Sequence, residues 1–450
     1  MSKGLIIAGT HSGVGKTTVT VGILDALKRK GLTVQSFKVG PDFIDAGLHE
    51  LTTGRLSRNL DLWMCGKDFV LDCYRTHTAG SQIAIVEGVM GMFDGGAAST
   101  AEVAKTLGLP VMLVVDAHSM AESAAALVRG FEAFDASVDV AGVIFNRAGG
   151  ERHVRILTDA MERYTGVKVL GHLPGNAEFS IPERHLGLFT KEEDPIPDNV
   201  MSSISKSVAE NINTDLLLEL ARPLAGPQKI TNRFSTHSSG TKTRIAVAKD
   251  RAFCFYYEDN LDMLRRAGCD VVPFSPLSDM ELPEQVDAVY LGGGYPELYA
   301  RALSGNKSML KAVRKWAVSG KPLYAECGGL MYLSMGIYDF DGNFHGMAEL
   351  FPFETAMKKG RANLGYREVR LLKDSIVGRK GDILRGHEFH YSKIKTEEPM
   401  AETAYEVNKY GGGRFSEGYC MKKTLASYVH IHFGSNPGIA DSFVKFAAEA

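Results

Sequence analysis

Apolar positions along this chain fall into short runs of β-branched residues, separated by longer stretches with a helical period. Residues 5–8, 33–38, 83–86, 111–115 and 140–145 read as buried strands, and 170–174 closes the series. Residues 17–30 form an amphipathic helix ending at Gly31, and 121–134 an Ala-rich one. Continuous apolar strands alternating with helices predict a parallel sheet covered on both faces. Ligands in such sheets sit at the C-terminal ends of the strands. Residues 227–242 change character: they are rich in Ser, Thr, Lys and Gly, with almost no apolar pattern, and read as a linker. A second α/β series follows at 245–248, 271–273, 288–291 and 322–325. Beyond Gly336 the pattern turns β-rich, with 366–371 and 426–433 as strands. The expected division is therefore a domain at 1–226, a linker at 227–243 and a second domain at 244–450.

At 450 residues the chain exceeds one ordinary core, so about two or three domains are expected. A net charge of -2 gives no electrostatic case for nucleic acid or an anionic membrane as partner. The apolar run at 5–8 is too short for a signal peptide or a span, and no later run is long enough. Six scattered cysteines form no C-x-x-C pair, so neither a zinc site nor a redox motif is indicated. A cytoplasmic protein with reduced thiols is expected.

Gly9-Thr10-His11-Ser12-Gly13-Val14-Gly15-Lys16-Thr17-Thr18 follows a strand and opens a helix, the context a phosphate-binding loop requires. The glycines let backbone N–H groups close around phosphate oxygens, and the helix N-terminus adds partial positive charge. Gly13, Gly15, Lys16, Thr17 and Thr18 are the candidate ATP contacts, with Lys16 reaching the β- and γ-phosphates and Thr17 placed to ligate Mg2+. The first glycine of Gly-x-x-x-x-Gly-Lys-Ser/Thr is displaced, with Thr10 in its place. Five residues before Lys16 stands His11, where partitioning-type ATPases carry a second lysine.

Acidic residues follow the strands. Glu87 ends the run 83–86 and is the candidate metal holder, directly or through water. Asp42 and Asp45 leave another strand, and Asp94 lies in a Gly-rich loop. Each of these also suits a helix cap or a solvated loop. Asn146, after 143–145, is placed to reach an adenine edge or serves as an ordinary turn residue.

The second series holds a different chemistry. Tyr324-Ala325-Glu326-Cys327-Gly328-Gly329 is a sharp strand-to-helix turn. Such a turn presents a nucleophile, and the next backbone N–H can stabilise an oxyanion. Another glycine-rich turn, 292–297, is a source of the second N–H. In Tyr428-Val429-His430-Ile431-His432-Phe433 a period of two puts His430 and His432 on one face, and either is a candidate to take the thiol proton. No acid follows closely to orient that base. An enzyme needs both a phosphate loop and a thiol when it activates a carboxylate with ATP and takes ammonia from an amide.

These segments, with Lys38–Asp45, 86–95, 145–147 and 184–188, run in order from one end to the other. Together they resemble the cobyrinate a,c-diamide synthase family. The resemblance implies an α/β architecture: a P-loop parallel-sheet domain, like dethiobiotin synthetase, followed by a flavodoxin-like class I glutamine amidotransferase domain. The implied activity is ATP- and glutamine-dependent amidation of the a- and c-acetate carboxylates of cobyrinate, in cobalamin biosynthesis, through an acyl phosphate. ATP and Mg2+ are the implied cofactors, and glutamine and a tetrapyrrole polycarboxylate the implied partners. The macrocycle is expected near Asp42, Asp45 and Asp94, with the two active sites facing a common cleft.

Cys327 takes the role of the family's nucleophile and His430 that of its base, with His432 as second choice. Many class I relatives carry a glutamate two residues after the histidine, a position held here by His432. The sequence leaves open a related macrocycle (nickel sirohydrochlorin or hydrogenobyrinate), and the oligomeric state, a homodimer included. From another class, a P-loop regulatory ATPase with an inactive thiol domain would hydrolyse ATP but not glutamine.

Overall fold

The computed structural model describes residues 2–175, 179, 183–184, 187–188, 191, 196–224, 243–360, 362–395 and 401–449. The chain divides into two compact units, Met1–Thr231 and Asn232–Ala450, described here one at a time. Residues 227–242, read above as a linker, lie outside the described residues, as do His185 and Leu186. Thr243 opens a strand.

The first unit is built on seven parallel strands: β1 (Lys3–Gly9), β2 (Val34–Val39), β3 (Arg58–Leu60), β4 (Ile83–Glu87), β5 (Val111–Asp116), β6 (Val140–Ala148) and β7 (Lys168–Pro174). Their order is β3-β2-β4-β1-β5-β6-β7, and Arg222–Pro223 pairs antiparallel with the start of β1. Two-sided burial explains the unbroken apolar runs: all six residues of β2 and all five of β4 are buried. β1 lies between β4 and β5, so the turn after it opens near the middle of the sheet's carboxyl edge. There the chain enters helix α1 (Lys16–Arg29), whose Val19, Ile23 and Leu27 join Leu5, Ile7 and Ile85 in one core.

The second unit opens with five parallel strands in the order Cys269–Phe274, Thr243–Ala248, Ala288–Leu291, Leu323–Glu326, Thr424–Ser427. This is the flavodoxin-like order 2-1-3-4-5. Antiparallel strands Arg414–Met421, Glu402–Lys409, Asn363–Leu371, Ile383–His390 and His430–Ile431 extend the sheet. The expected single strand at 426–433 is corrected. The chain leaves the parallel ladder after Ser427 and rejoins the sheet's far edge at His430, opposite His387. The physical reason is a pair of side-chain acceptors. The Tyr428 N–H donates to the Glu417 carboxylate (2.6 Å) and the Val429 N–H to the Ser427 hydroxyl (2.9 Å), so side chains replace the ladder.

Among the described residues no helix is long and apolar enough to cross a membrane.

Gly22 of α1 faces helix Asp198–Asn211. A Cβ there would come within 2.6 Å of a Val208 methyl and 2.8 Å of an Ile204 methyl. Alanine gains about 1 kcal/mol over glycine in a helix interior, whereas overpacking a tight contact costs about 1–3 kcal/mol. Gly22→Ala is therefore expected to lower stability by about 1 kcal/mol in chemical unfolding. A raised midpoint would contradict the close approach.

Candidate functional site

In the first unit the turn after β1 folds as a phosphate loop. Gly15 caps α1 with φ 91°, a left-handed backbone that disfavours side chains. A Cβ on Gly15 would also strike the Asn146 amide at 2.1 Å. Asn146 donates from Nδ2 to the Val14 carbonyl (2.8 Å), and Arg147 donates to the Gly13 carbonyl (3.0 Å), so the end of β6 steadies the loop. Lys16 is buried, and its Nζ donates to the carbonyls of Met90 (2.6 Å) and His11 (3.3 Å). Burial, with the nearby Lys38 charge, lowers its pKa from the ordinary lysine value. The loop opens on a cavity of about 520 Å³ lined by Gly13, Gly15, Lys16, Thr17, Asn146 and others, a size suited to a nucleotide-sized ligand.

Acids line the same cavity. The Thr17 hydroxyl donates to Glu87 Oε1 at 3.0 Å, pairing a hydroxyl and a carboxylate of the kind a hard cation prefers. Glu87 is fully buried and already engaged. Lys38 Nζ donates to Oε1 (2.8 Å), and His49 Nε2 lies 2.6 Å from Oε2. Burial opposes its charge, but Lys38 and His49 outweigh burial and hold the carboxyl well below its usual range. Lys38, unassigned from sequence, also bonds Asp45 (2.5 Å) and the Gly88 carbonyl (3.1 Å). Burial disfavours its charge, yet Asp45 and Glu87 raise its pKa.

Asp42 caps helix α2 (Phe43–Thr53), accepting from the N–H groups of Ile44 and Asp45 at 2.9 Å each. Asp42 and Asp45 line the cavity with Glu87 and Lys38. Asp94 is not among the lining residues. It accepts from the Gly91 N–H (3.1 Å) and shapes its own loop.

In the second unit Cys327 follows the buried strand Leu323–Glu326 and caps the helix Gly328–Leu333 with φ 48° and ψ −99°. A non-glycine residue held at positive φ is strained, which is the signature of a nucleophile turn. The strain is held in place by the Cys327 N–H donating to the Ser427 carbonyl (2.7 Å) and the Met331 N–H donating to the Cys327 carbonyl (3.1 Å). The 292–297 turn packs against it. The Gly329 N–H donates to the Gly292 carbonyl (3.1 Å), and the Gly294 nitrogen lies 3.2 Å from where Gly328 would carry a Cβ. The Gly293 N–H is engaged with the Phe255 carbonyl and that of Gly292 with the Tyr256 hydroxyl. Burial, with the charge of Glu297, pushes the Cys327 thiol pKa up.

The His430 ring packs against Gly293, in the same loop: a Cβ there would lie 2.3 Å from Cε1. The ring stacks on His387 at 4.9 Å. His432 instead packs against Tyr257 (4.4 Å), and its Nδ1 accepts from the Gly434 N–H. Burial lowers the pKa of His430 to about 3 and that of His432 to about 4. The carboxylate missed from sequence is Glu326, whose Oε2 lies 3.8 Å from His430 Nδ1, both side chains buried. A search downstream of the histidine overlooks it, because it precedes the nucleophile. The only sequence signal is an acid closing an apolar strand.

Comparison with known proteins finds two family models along the chain. Residues 5–189 match the CobQ/CobB/MinD/ParA nucleotide binding domain, and residues 244–438 the CobB/CobQ-like glutamine amidotransferase domain. A cobyrinate a,c-diamide synthase of Syntrophotalea carbinolica is 46% identical over 98% of both chains. One of Streptococcus sanguinis is 43% identical over 100% of both, and one of Dehalococcoides mccartyi 42% identical over 98% of this chain and 97% of that one. The chain belongs to the cobyrinate a,c-diamide synthase family, and it is a glutamine-hydrolysing amide synthetase.

Proposed function

We propose that this enzyme converts the a- and c-acetate carboxylates of cobyrinate to carboxamides, using ATP with Mg2+ and ammonia released from glutamine. The observation that carries the reading is the strained turn at Cys327, packed against the 292–297 loop, in a chain that also carries a phosphate loop.

In the first unit, ATP with Mg2+ supplies the phosphoryl group that turns a carboxylate, a poor acyl donor, into an acyl phosphate. The backbone N–H groups of residues 13–18 cradle the phosphates, and Lys16 turns from the Met90 and His11 carbonyls toward them. Thr17 holds the metal, with Glu87 acting through Thr17 and through water because both of its oxygens already have partners. Asn146 keeps the loop in shape beside the nucleotide base. A substrate carboxylate near Asp42 and Asp45 is repelled by their charges unless a cation lies between them.

In the second unit, Cys327 attacks the carboxamide carbon of glutamine while His430 takes the thiol proton through Nε2. N–H groups of Gly328 and Gly294 stabilise the oxyanion. The C–N bond breaks, His430 returns the proton to the departing nitrogen, and ammonia leaves a thioester. Water then cleaves the thioester to glutamate and restores the thiol. Releasing ammonia inside the protein keeps it unprotonated for attack on the acyl phosphate, which water exclusion preserves.

Cys327→Ala is expected to abolish glutamine-dependent synthesis, by at least about 10³-fold, while high ammonia still drives amidation. Lys16→Ala is expected to do the reverse, keeping glutaminase activity and losing synthesis from either nitrogen source. If ammonia does not rescue Cys327→Ala, the division of roles is wrong. Cobyrinate, hydrogenobyrinate and nickel sirohydrochlorin assayed side by side decide the macrocycle.

The raised Cys327 and lowered His430 pKa values imply a resting pair of neutral thiol and neutral imidazole. Iodoacetamide at pH 7 should therefore alkylate Cys327 no faster than an ordinary cysteine, because the thiolate is the reactive form. Rapid alkylation that is independent of pH between about 5 and 8 would reveal a preformed thiolate–imidazolium pair and contradict this.

A further inference from the structure

Resting on the thiol chemistry proposed above, we infer that Glu326, the residue before the nucleophile, is the positioning residue that orients His430. The acid that such a base requires comes from the nucleophile's own strand, not from two residues after the histidine.

Four observations meet at this carboxylate. Its Oε2 lies 3.8 Å from His430 Nδ1, so on the proposed chemistry the other ring nitrogen, Nε2, takes the thiol proton. It accepts from Tyr290 (2.9 Å, on Oε2), from Tyr324 (2.8 Å, on Oε1) and from the Ile431 N–H (3.0 Å, on Oε1). The last bond ties it to the backbone next to His430 itself. It is also 1% exposed at the end of a strand whose next residue is Cys327.

At 3.8 Å the contact with His430 is longer than a hydrogen bond. Catalytic hydrogen bonds are commonly long before substrate binds and tighten in the complex. Roughly 1 Å of closure suffices here. The environment sets the charge accordingly. Burial pushes the Glu326 carboxyl up to about 7, against the pull of Tyr324, Tyr290 and the Ile431 N–H. Near neutral pH the carboxyl is therefore part protonated, and the three donors favour its ionised form once His430 becomes an imidazolium. The neighbouring carboxylate favours that charged ring. A merely structural acceptor for two tyrosines would not need to face the histidine.

The test measures glutaminase kinetics of wild type, Glu326→Gln, Glu326→Asp and Cys327→Ala in the full chain, with ammonia-driven synthesis as the folding control. Glu326→Gln is expected to lower kcat by about 10²-fold, leave KM for glutamine within about threefold, and slow labelling of Cys327 by an alkylating glutamine analogue in proportion. Glu326→Asp, which keeps the charge, should recover part of the kcat. A Glu326→Gln enzyme with kcat within about threefold of wild type overturns the inference while leaving the Cys327 chemistry intact. A Cys327→Ala enzyme that still hydrolyses glutamine overturns the underlying reading instead. If Glu326→Gln also loses ammonia-driven synthesis, Glu326→Asp decides: an unchanged kcat, or a change in KM alone, sinks the inference, and a lowered kcat at constant KM supports it.

Discussion

Neighbouring parallel strands run out of ladder partners at the same edge of a sheet, and each chain segment must leave that edge through a turn. Strand register then decides which residues meet there. In the first unit Lys38 pairs in register with Glu87, Ile7 with Glu87, and Asp116 with Asn146. The buried ion pair and the prop beneath the phosphate loop therefore follow from pairing already fixed by the apolar strands. In the second unit Leu291 pairs with Ala325 and Glu326 with Ser427. Three adjacent strands thus release, side by side, the 292–297 loop, the Cys327 turn and the segment leading to His430. Few contacts need to be specified separately.

Holding charge and strain at such an edge is costly, and the structure shows what offsets the cost. A single residue in left-handed backbone costs about 1–3 kcal/mol. At Cys327 two main-chain hydrogen bonds and the close packing of Gly328 against Pro296 hold this conformation. Lys38 stands between Asp45 and Glu87, with His49 beyond. Such a set is weak evidence for net stability. Removing one partner, however, leaves an uncompensated buried charge, a loss of about 3–5 kcal/mol. Asp42 is cheaper to keep, since as a helix cap it contributes about 1 kcal/mol whatever else it does.

Much of this was legible in the sequence where one physical signal dominated. The central strands of the first unit are buried on both faces, so their apolar runs are unbroken and most of their carboxyl ends fall within a residue of those expected; β6 runs three residues further, to Ala148, and the short β3 was not read from the sequence. Gly13, Gly15, Lys16 and Thr17 were readable because a strand, a glycine turn and a helix stand in order. Residues 426–433 misled for the opposite reason. Their apolar continuity hides a break made by Glu417 and the Ser427 hydroxyl, and no local propensity records a partner ten residues away. Lys38 was passed over because a lysine between Phe37 and Val39 looks like an exposed strand position until two buried carboxylates are seen to hold it. Glu326 was hidden by a directional expectation, since the acid was sought after the histidine.

On the proposed chemistry, the burial that seems to work against the thiol site also explains how it would act. A thiol with a raised pKa and an imidazole with a lowered one store no charge at rest. Proton transfer between them becomes favourable only when something accepts the resulting negative charge. The glutamine carbonyl, placed against the N–H groups at Gly328 and Gly294, is that acceptor. Stabilisation is thereby concentrated on the charge that develops during attack and is withheld from the resting enzyme, which raises the rate of the chemical step instead of merely tightening binding. The same burial makes the orientation of His430 critical. A neutral ring in an apolar site has two tautomers, and only the one with its proton on Nδ1 leaves Nε2 ready as a base. A carboxylate on the Nδ1 side selects that tautomer, so the site's low polarity and the position of Glu326 are two halves of one arrangement.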